Sequence, residues 1–247
     1  MSDVLTLSSR CLRLSRRQID GLITSLLLPV MLMVIFVELF GGAIETGTKY
    51  VTYVVPGVLI LCTAFGSAMT AVSVCQDVHG GIVDRFRAMD VRGAALLAGH
   101  VTSSIVRNAV STTLVIAVAF ALGFRPHASA TQWLAAAGVL VAFVAAVSWL
   151  AAVIGLLTKS PEAANGATFF VTFFPYASSA FVPVHTMPHW LQGFAQHQPI
   201  TPLTETLRGL LLGTHVGSSA WVALAWCAGL LVVSIAAAGV LFARRVA

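Results

Sequence analysis

Long apolar runs separated by short polar stretches dominate this chain. A helix needs about 20 predominantly apolar residues to cross a hydrocarbon core, and six stretches qualify, at roughly 22–40, 53–75, 102–124, 133–157, 167–184 and 220–242. The fifth is expected to be kinked or partly unwound, because it follows Asn165 and Gly166, contains Pro175 and runs into Pro183. The first begins about 20 residues into the chain, is longer than a signal-peptide core and lacks a small-residue cleavage site, so it reads as a retained anchor. The pattern predicts an all-α integral membrane protein of six transmembrane helices, forming a single transmembrane domain over 1–247.

Three stretches outside the spans carry a pattern of their own. Over 4–19, Val4, Leu5, Leu7, Cys11, Leu12, Leu14 and Ile19 fill one half of a helical wheel and Arg10, Arg13, Arg16 and Arg17 the other. That is the signature of an amphipathic helix lying in the membrane interface. Over 76–100, the Gly80 and Gly81 pair permits a sharp bend, after which Ile82, Phe86 and Met89 form one apolar stripe flanked by Asp84, Arg85, Arg87 and Asp90. A short helix with a bulky tip and mixed charge suits docking to a soluble partner, the tip filling a pocket and the charges setting register. Over 185–219 the chain is too apolar for a floppy loop and too broken to span. It reads as two short helices split around Pro199 to Pro202, dipping into the outer leaflet or capping a cavity, with Glu205 and Arg208 spaced to pair on the second.

Composition agrees with the pattern: 58% of residues are hydrophobic and 9% charged, against roughly a quarter charged in soluble domains. Soluble enzymes are excluded on that ground. The net charge of +5 belongs to topology and not to nucleic acid. Arg10, Arg13, Arg16, Arg17, Arg85, Arg87, Arg92, Arg107, Lys159, Arg244 and Arg245 fall on the side of the two termini, and Lys49, Arg125 and Arg208 on the other. The positive-inside rule then puts both termini in the cytoplasm.

The chemistry inventory excludes further classes. Gly155 to Ser160 lacks the Gly before Lys159 that a phosphate-cradling loop requires, so no ATP site is expected on this chain. No carboxylate lies at a span centre, as ion-coupled carriers usually need; Glu38 and Asp77 sit near span ends. Cys11, Cys62, Cys75 and Cys227 have no metal-ligand spacing. His185, His189 and His197 with Glu205 suggest a zinc site, since histidines four apart share a helix face, but Pro188 directly precedes His189 and there is no His-Glu-x-x-His sequence, so no metal is expected. Polar and aromatic residues within spans mark a candidate path for large apolar or amphipathic molecules: Thr63, Phe65, Ser67, Met69, Thr70 and Ser73 in the second, and Asn165, Thr168, Phe169, Thr172, Phe173, Phe174 and Tyr176 in the fifth. Helix packing by small and aromatic residues accounts for the same set.

The arrangement resembles the ABC transporter type 2 permeases, and among them the daunorubicin-resistance-like exporters of bacteria. The resemblance is carried by Asp77 to Phe86, by Phe181, Val182, Pro183, Met187, Pro188, Trp190 and Leu191, by Pro199, Thr201 and Pro202, and by Arg208 to Gly213. It implies a permease subunit in the bacterial inner membrane that pairs with a second copy or a sister permease. Two ATP-binding cassette subunits would dock on it, and ATP and Mg would be held by them. By position, Gly80 to Met89 would be the coupling helix, with Gly80, Gly81, Asp84, Arg85, Phe86 and Met89 as its contacts. Spans one, two and five would line the cavity, and Pro183, Met187, Pro188, Pro202 and Arg208 would belong to an external gate. The exported compound would be hydrophobic or amphipathic, a drug, lipid or polyketide-like molecule. A carrier or channel that works without ATP, or an accessory membrane subunit, are the other classes compatible with the residues.

Overall fold

The computed structural model describes residues 19–41, 48–81 and 93–246. The interfacial helix expected over 4–19 and the coupling residues Asp84, Arg85, Phe86 and Met89 lie outside these, Ile19 excepted. The described chain is all-helical: α1 (Ile19–Phe40), α2 (Tyr50–His79), α3 (Gly93–Ala121), α4 (Ala130–Leu157), α5 (Pro161–Phe173), α6 (His189–His197), α7 (Ile200–Leu212) and α8 (Ser219–Val246). Two 3-10 turns, Phe174–Ala177 and Val184–Thr186, interrupt the chain between α5 and α6. Among the described residues, four stretches are long and apolar enough to cross a membrane: Tyr50–His79, Ala95–Ala121, Ala130–Leu157 and Ser219–Phe242.

α2 is the axis of the bundle. It packs against α1, α3, α4, α5 and α7, and its Val54, Val55, Val58, Leu59, Ile60 and Leu61 are all but completely buried. They meet Val115, Phe124, Phe143, Leu203, Leu207 and Leu211 in one core cluster. α8 packs on the far side of α4 and against α7. Local sequence sets the helix starts. Ser129 and Gln132 form a reciprocal capping box ahead of α4. Ser160 caps α5, with Pro161 in the first turn where no amide donor is needed.

The expected break in the fifth span is present, and it divides the segment. α5 has 13 residues, about 20 Å of helix, short of the ~30 Å hydrocarbon thickness. Pro175 then stands inside the 3-10 turn. The expected pair of short helices is present as α6 and α7, split at Gln198 and Pro199. Pro202 lies in the first turn of α7 and not in the break, since a first-turn residue has no helical acceptor for an amide.

One expectation is corrected: Arg107 is not a loop cation. It sits at the middle of α3, which leaves ten cations against three in the charge count.

Close helix approach rests on glycine at named points. A Cβ on Gly155 of α4 would lie 2.5 Å from the Ala71 carbonyl oxygen of α2, whereas one on Gly138 of the same helix meets nothing within 4 Å. Gly155→Ala should therefore destabilise the bundle by about 1–3 kcal/mol, while Gly138→Ala should be neutral or stabilising by up to about 1 kcal/mol. Thermal unfolding of the two variants in the same detergent checks the contrast; equal midpoints would contradict this packing.

Candidate functional site

At one end of α2 the chain carries a buried polar pair. His100 Nε2 of α3 lies 3.0 Å from Asp77 Oδ2, with side chains 8% and 12% exposed. Around it, Cys75 Sγ donates to the Thr158 carbonyl between α4 and α5 at 3.7 Å. Three elements are thus tied at this end. α2 stops two residues beyond Asp77, and Gly81 adopts the left-handed φ of 69°. That backbone favours glycine, and it falls within the Gly80–Gly81 pair singled out in the sequence. Sequence reasoning noted Asp77 but missed His100; a lone histidine where a loop meets a span was the available signal.

In the middle of the bundle, Arg107 Nη2 donates to the Gly66 carbonyl at 3.1 Å and to Thr70 Oγ1 at 3.2 Å. Ser148 Oγ donates to Ser104 Oγ at 2.8 Å and lies 3.3 Å from Ser67 Oγ, joining α4, α3 and α2. A Cβ on Gly66 would stand 2.1 Å from Asn108 Oδ1, so a larger residue here must displace the Asn108 amide. An arginine at the centre of a span is costly in hydrocarbon and ordinarily faces the protein interior. Thr70, expected on the path, belongs to this inter-helix seam.

The opposite end holds the broken segment. Tyr50 Oη donates to the Phe181 carbonyl and Tyr53 Oη to the Ser179 carbonyl, each at 3.0 Å. Arg208 Nη2 of α7 donates to the same Ser179 carbonyl at 2.8 Å and to the Tyr53 carbonyl at 3.2 Å. Its guanidinium carbon lies 3.8 Å from the Tyr53 ring centroid, within cation–π range. Arg208 is therefore engaged by two carbonyls and a ring, and the expected pairing with Glu205 is not made. The Ser179 amide donates to Thr201 Oγ1 at 3.2 Å, and Gln198 Nε2 donates to the Ala177 carbonyl. Of the other expected gate residues, Pro183 precedes the second 3-10 turn, Met187 closes it, and Pro188 opens α6.

α5 presents an aromatic face. Phe169, Phe170, Phe173 and Phe174 are 56%, 74%, 51% and 39% exposed, whereas Thr168 and Thr172 turn inward and bond carbonyls of their own helix. Phe169 stacks edge-on with Phe173 at 4.7 Å. From Phe173 a row of rings runs through Tyr176 and Phe181 to Phe36 of α1, with centroids 5.7, 5.4 and 4.9 Å apart. Phe65 and Met69 of α2 are half-buried, and Asn165 is exposed at the start of α5. Phe170 was missed from sequence; it lies at i, i+4 to Phe174, as Phe169 does to Phe173.

Residues 2–212, which include every described element from α1 to α7, match the ABC-2 type transporter family. The chain belongs to that family. It is 31% identical over 195 residues to a daunorubicin resistance ABC transporter permease protein of Streptomyces coeruleorubidus, covering 78% of this chain and 69% of the relative. It is 24% identical over 235 residues to a probable doxorubicin resistance ABC transporter permease protein of Mycobacterium tuberculosis, covering 94% and 85%. A second doxorubicin resistance permease of that organism is 23% identical over 200 residues, covering 78% and 69%. As an ABC-2 member with several spanning helices, the protein is membrane-integral and a permease subunit, its family's ATPase being a separate chain.

The Asp77–His100 contact should be energetically coupled. A double-mutant cycle of Asp77→Asn and His100→Leu is expected to return a coupling of about 1–3 kcal/mol. Unfolding in detergent measures it, and a coupling near zero would reduce the pair to mere proximity.

Proposed function

We propose that this protein is the membrane half of a bacterial exporter. It moves a hydrophobic or amphipathic compound outward, using ATP hydrolysed with Mg on two copies of a separate cassette subunit. The permease family supports the class, and drug-resistance relatives support the kind of cargo. The observation that carries the reading is the placement of α2. It is a buried rod of 30 residues, about 45 Å long, clamped at one end by His100 and at the other by Arg208. A push delivered beside Asp77 is carried to the broken segment, because a packed rod does not absorb it along the way.

In this reading 1–247 is one membrane domain with both termini in the cytoplasm of the inner membrane. Gly80 to Met89 takes the push, with Asp84 and Arg85 setting register and Phe86 and Met89 filling a pocket on the cassette. A second copy or a sister permease faces the α5 surface, so that Phe65, Met69, Asn165, Phe169, Phe173 and Phe174 border the path, while Thr70 stays in the inter-helix seam. Aromatic rings and methionine give adaptable, weakly specific contacts suited to varied cargo. Pro183, Met187, Pro188, Pro202 and Arg208 form the outer gate. ATP drives the cycle only by favouring one state of the pair over the other.

Replacement of Arg85 and Phe86 together by alanine tests this. With the cassette subunit in lipid nanodiscs, ATP-driven transport should fall at least about tenfold while thermal stability of the permease stays unchanged. Undiminished transport would remove the coupling assignment.

A further inference from the structure

Between residues 105–116 of α3 and 133–144 of α4 lies a cavity of about 200 Å³, closed at the back by the buried Leu59 of α2 and Leu207 and Leu211 of α7. Ala109 and Thr113 on one lip and Ala137 and Val141 on the other are exposed, so the slot opens sideways toward the membrane. It is smaller than the ~300–1,000 Å³ of sites that enclose a drug-sized molecule, and its size suits a single hydrocarbon chain. Its walls are apolar. Thr113 Oγ1 donates to the Ala109 carbonyl at 2.8 Å, and the Asn108 amide turns to Ser104 of its own helix and Gly66 of α2.

The charge lies beyond the slot, at the loop that joins its two walls. Phe120 continues the slot face of α3, four residues after Ile116 and eleven after Ala109. Arg125 Nη1 donates to the Phe120 carbonyl at 3.0 Å and to the Phe124 carbonyl at 2.9 Å. The guanidinium is thereby fixed to the backbone one turn past Ile116, about 6 Å along the helix. Arg125 is exposed, and its Nε and Nη2 make no hydrogen bond or ion pair among the described residues. No Asp or Glu occurs between Asp90 and Glu162, so neither wall nor the loop carries a carboxylate to neutralise it. Trp133 lines the slot at the same end, in the first turn of α4, and tryptophan favours the headgroup level of a bilayer.

We propose that an anionic phospholipid of the surrounding bilayer docks here, with one acyl chain in the α3–α4 slot and its phosphate on Arg125. Charge complementarity selects the lipid. A zwitterionic headgroup brings its own cation beside the guanidinium, whereas an anionic one brings none. The aromatic face of α5 does not line the slot, so the site stands apart from the path of the exporter reading and does not rest on it.

Phosphatidylglycerol and phosphatidylcholine that carry the same photoreactive diazirine tail provide the test. Each is added in the same trace amount to phosphatidylcholine bilayers holding the full chain, and cross-linked peptides are mapped by mass spectrometry. The phosphatidylglycerol probe should label 105–116 and 133–144 about three- to fivefold more than the phosphatidylcholine probe. Arg125→Gln should bring that ratio to about one, while Arg125→Lys, which keeps the charge, retains most of it. Ala137→Trp, which fills the slot from its open lip, should remove labelling by both probes. A ratio near one in the wild type, a preference that survives Arg125→Gln, or labelling indifferent to Ala137→Trp overturns the proposal. So does an absence of label on both stretches, the result expected if a protein helix or cargo fills the slot.

Discussion

A backbone that leaves the helix at membrane depth must find hydrogen-bond partners inside the protein, because hydrocarbon supplies none. Between α5 and α6 this chain does so repeatedly. The carbonyls of Ala177, Ser179 and Phe181 are met by Gln198, by Tyr53 with Arg208, and by Tyr50. The amide of Ser179 is met by Thr201 and that of Ala180 by Ser178 Oγ. Pro175 forces the departure from helix, and side chains of α2 and α7 make it tolerable. The break is consequently a fixed joint, bonded to the central rod on one side and to the short helices on the other.

That joint gives α2 its importance. Its Tyr50 end shares Arg208 and Ser179 with the broken segment, its middle receives Arg107 of α3, and its Asp77 end is held by His100. Each tie links α2 to another element, so α2 does not slide without breaking phenolic hydrogen bonds worth about 0.5–1.5 kcal/mol and arginine hydrogen bonds worth about 1.5–3 kcal/mol apiece. The arrangement favours movement of α2 with its attachments as a body over local bending. In the proposed exporter this links a cassette on the 82–92 side to the α6–α7 side.

Much of this was legible in the sequence. The apolar runs, the break at Pro175, the turn at Gly81 and the two short helices after Pro188 all follow from local rules about length, missing amide donors and positive φ. The aromatic face of α5 was half visible in the spacing of Phe169 and Phe173. What stayed hidden depends on residues far apart in the chain. Nothing near Arg208 reveals that its acceptor is the Ser179 carbonyl; the nearby Glu205 suggested a helix pair instead. His100 and Asp77 are 23 residues apart across a turn, and Gly66 faces Arg107 and Asn108 only through helix packing. Arg107 did carry a signal, a cation inside an apolar run, and counting it with the loops lost that signal.

The claim on which the account rests is that the Arg208 joint passes motion from the coupling end to the broken segment. Arg208→Lys keeps the charge and removes the planar fork that spans two carbonyls and a ring. In proteoliposomes with the cassette subunit, the measurement is ATP hydrolysed per molecule of fluorescent amphiphile transported. The account predicts hydrolysis within about twofold of wild type and transport lowered at least about tenfold. An unchanged ratio, with both rates retained or both lost together, would contradict it.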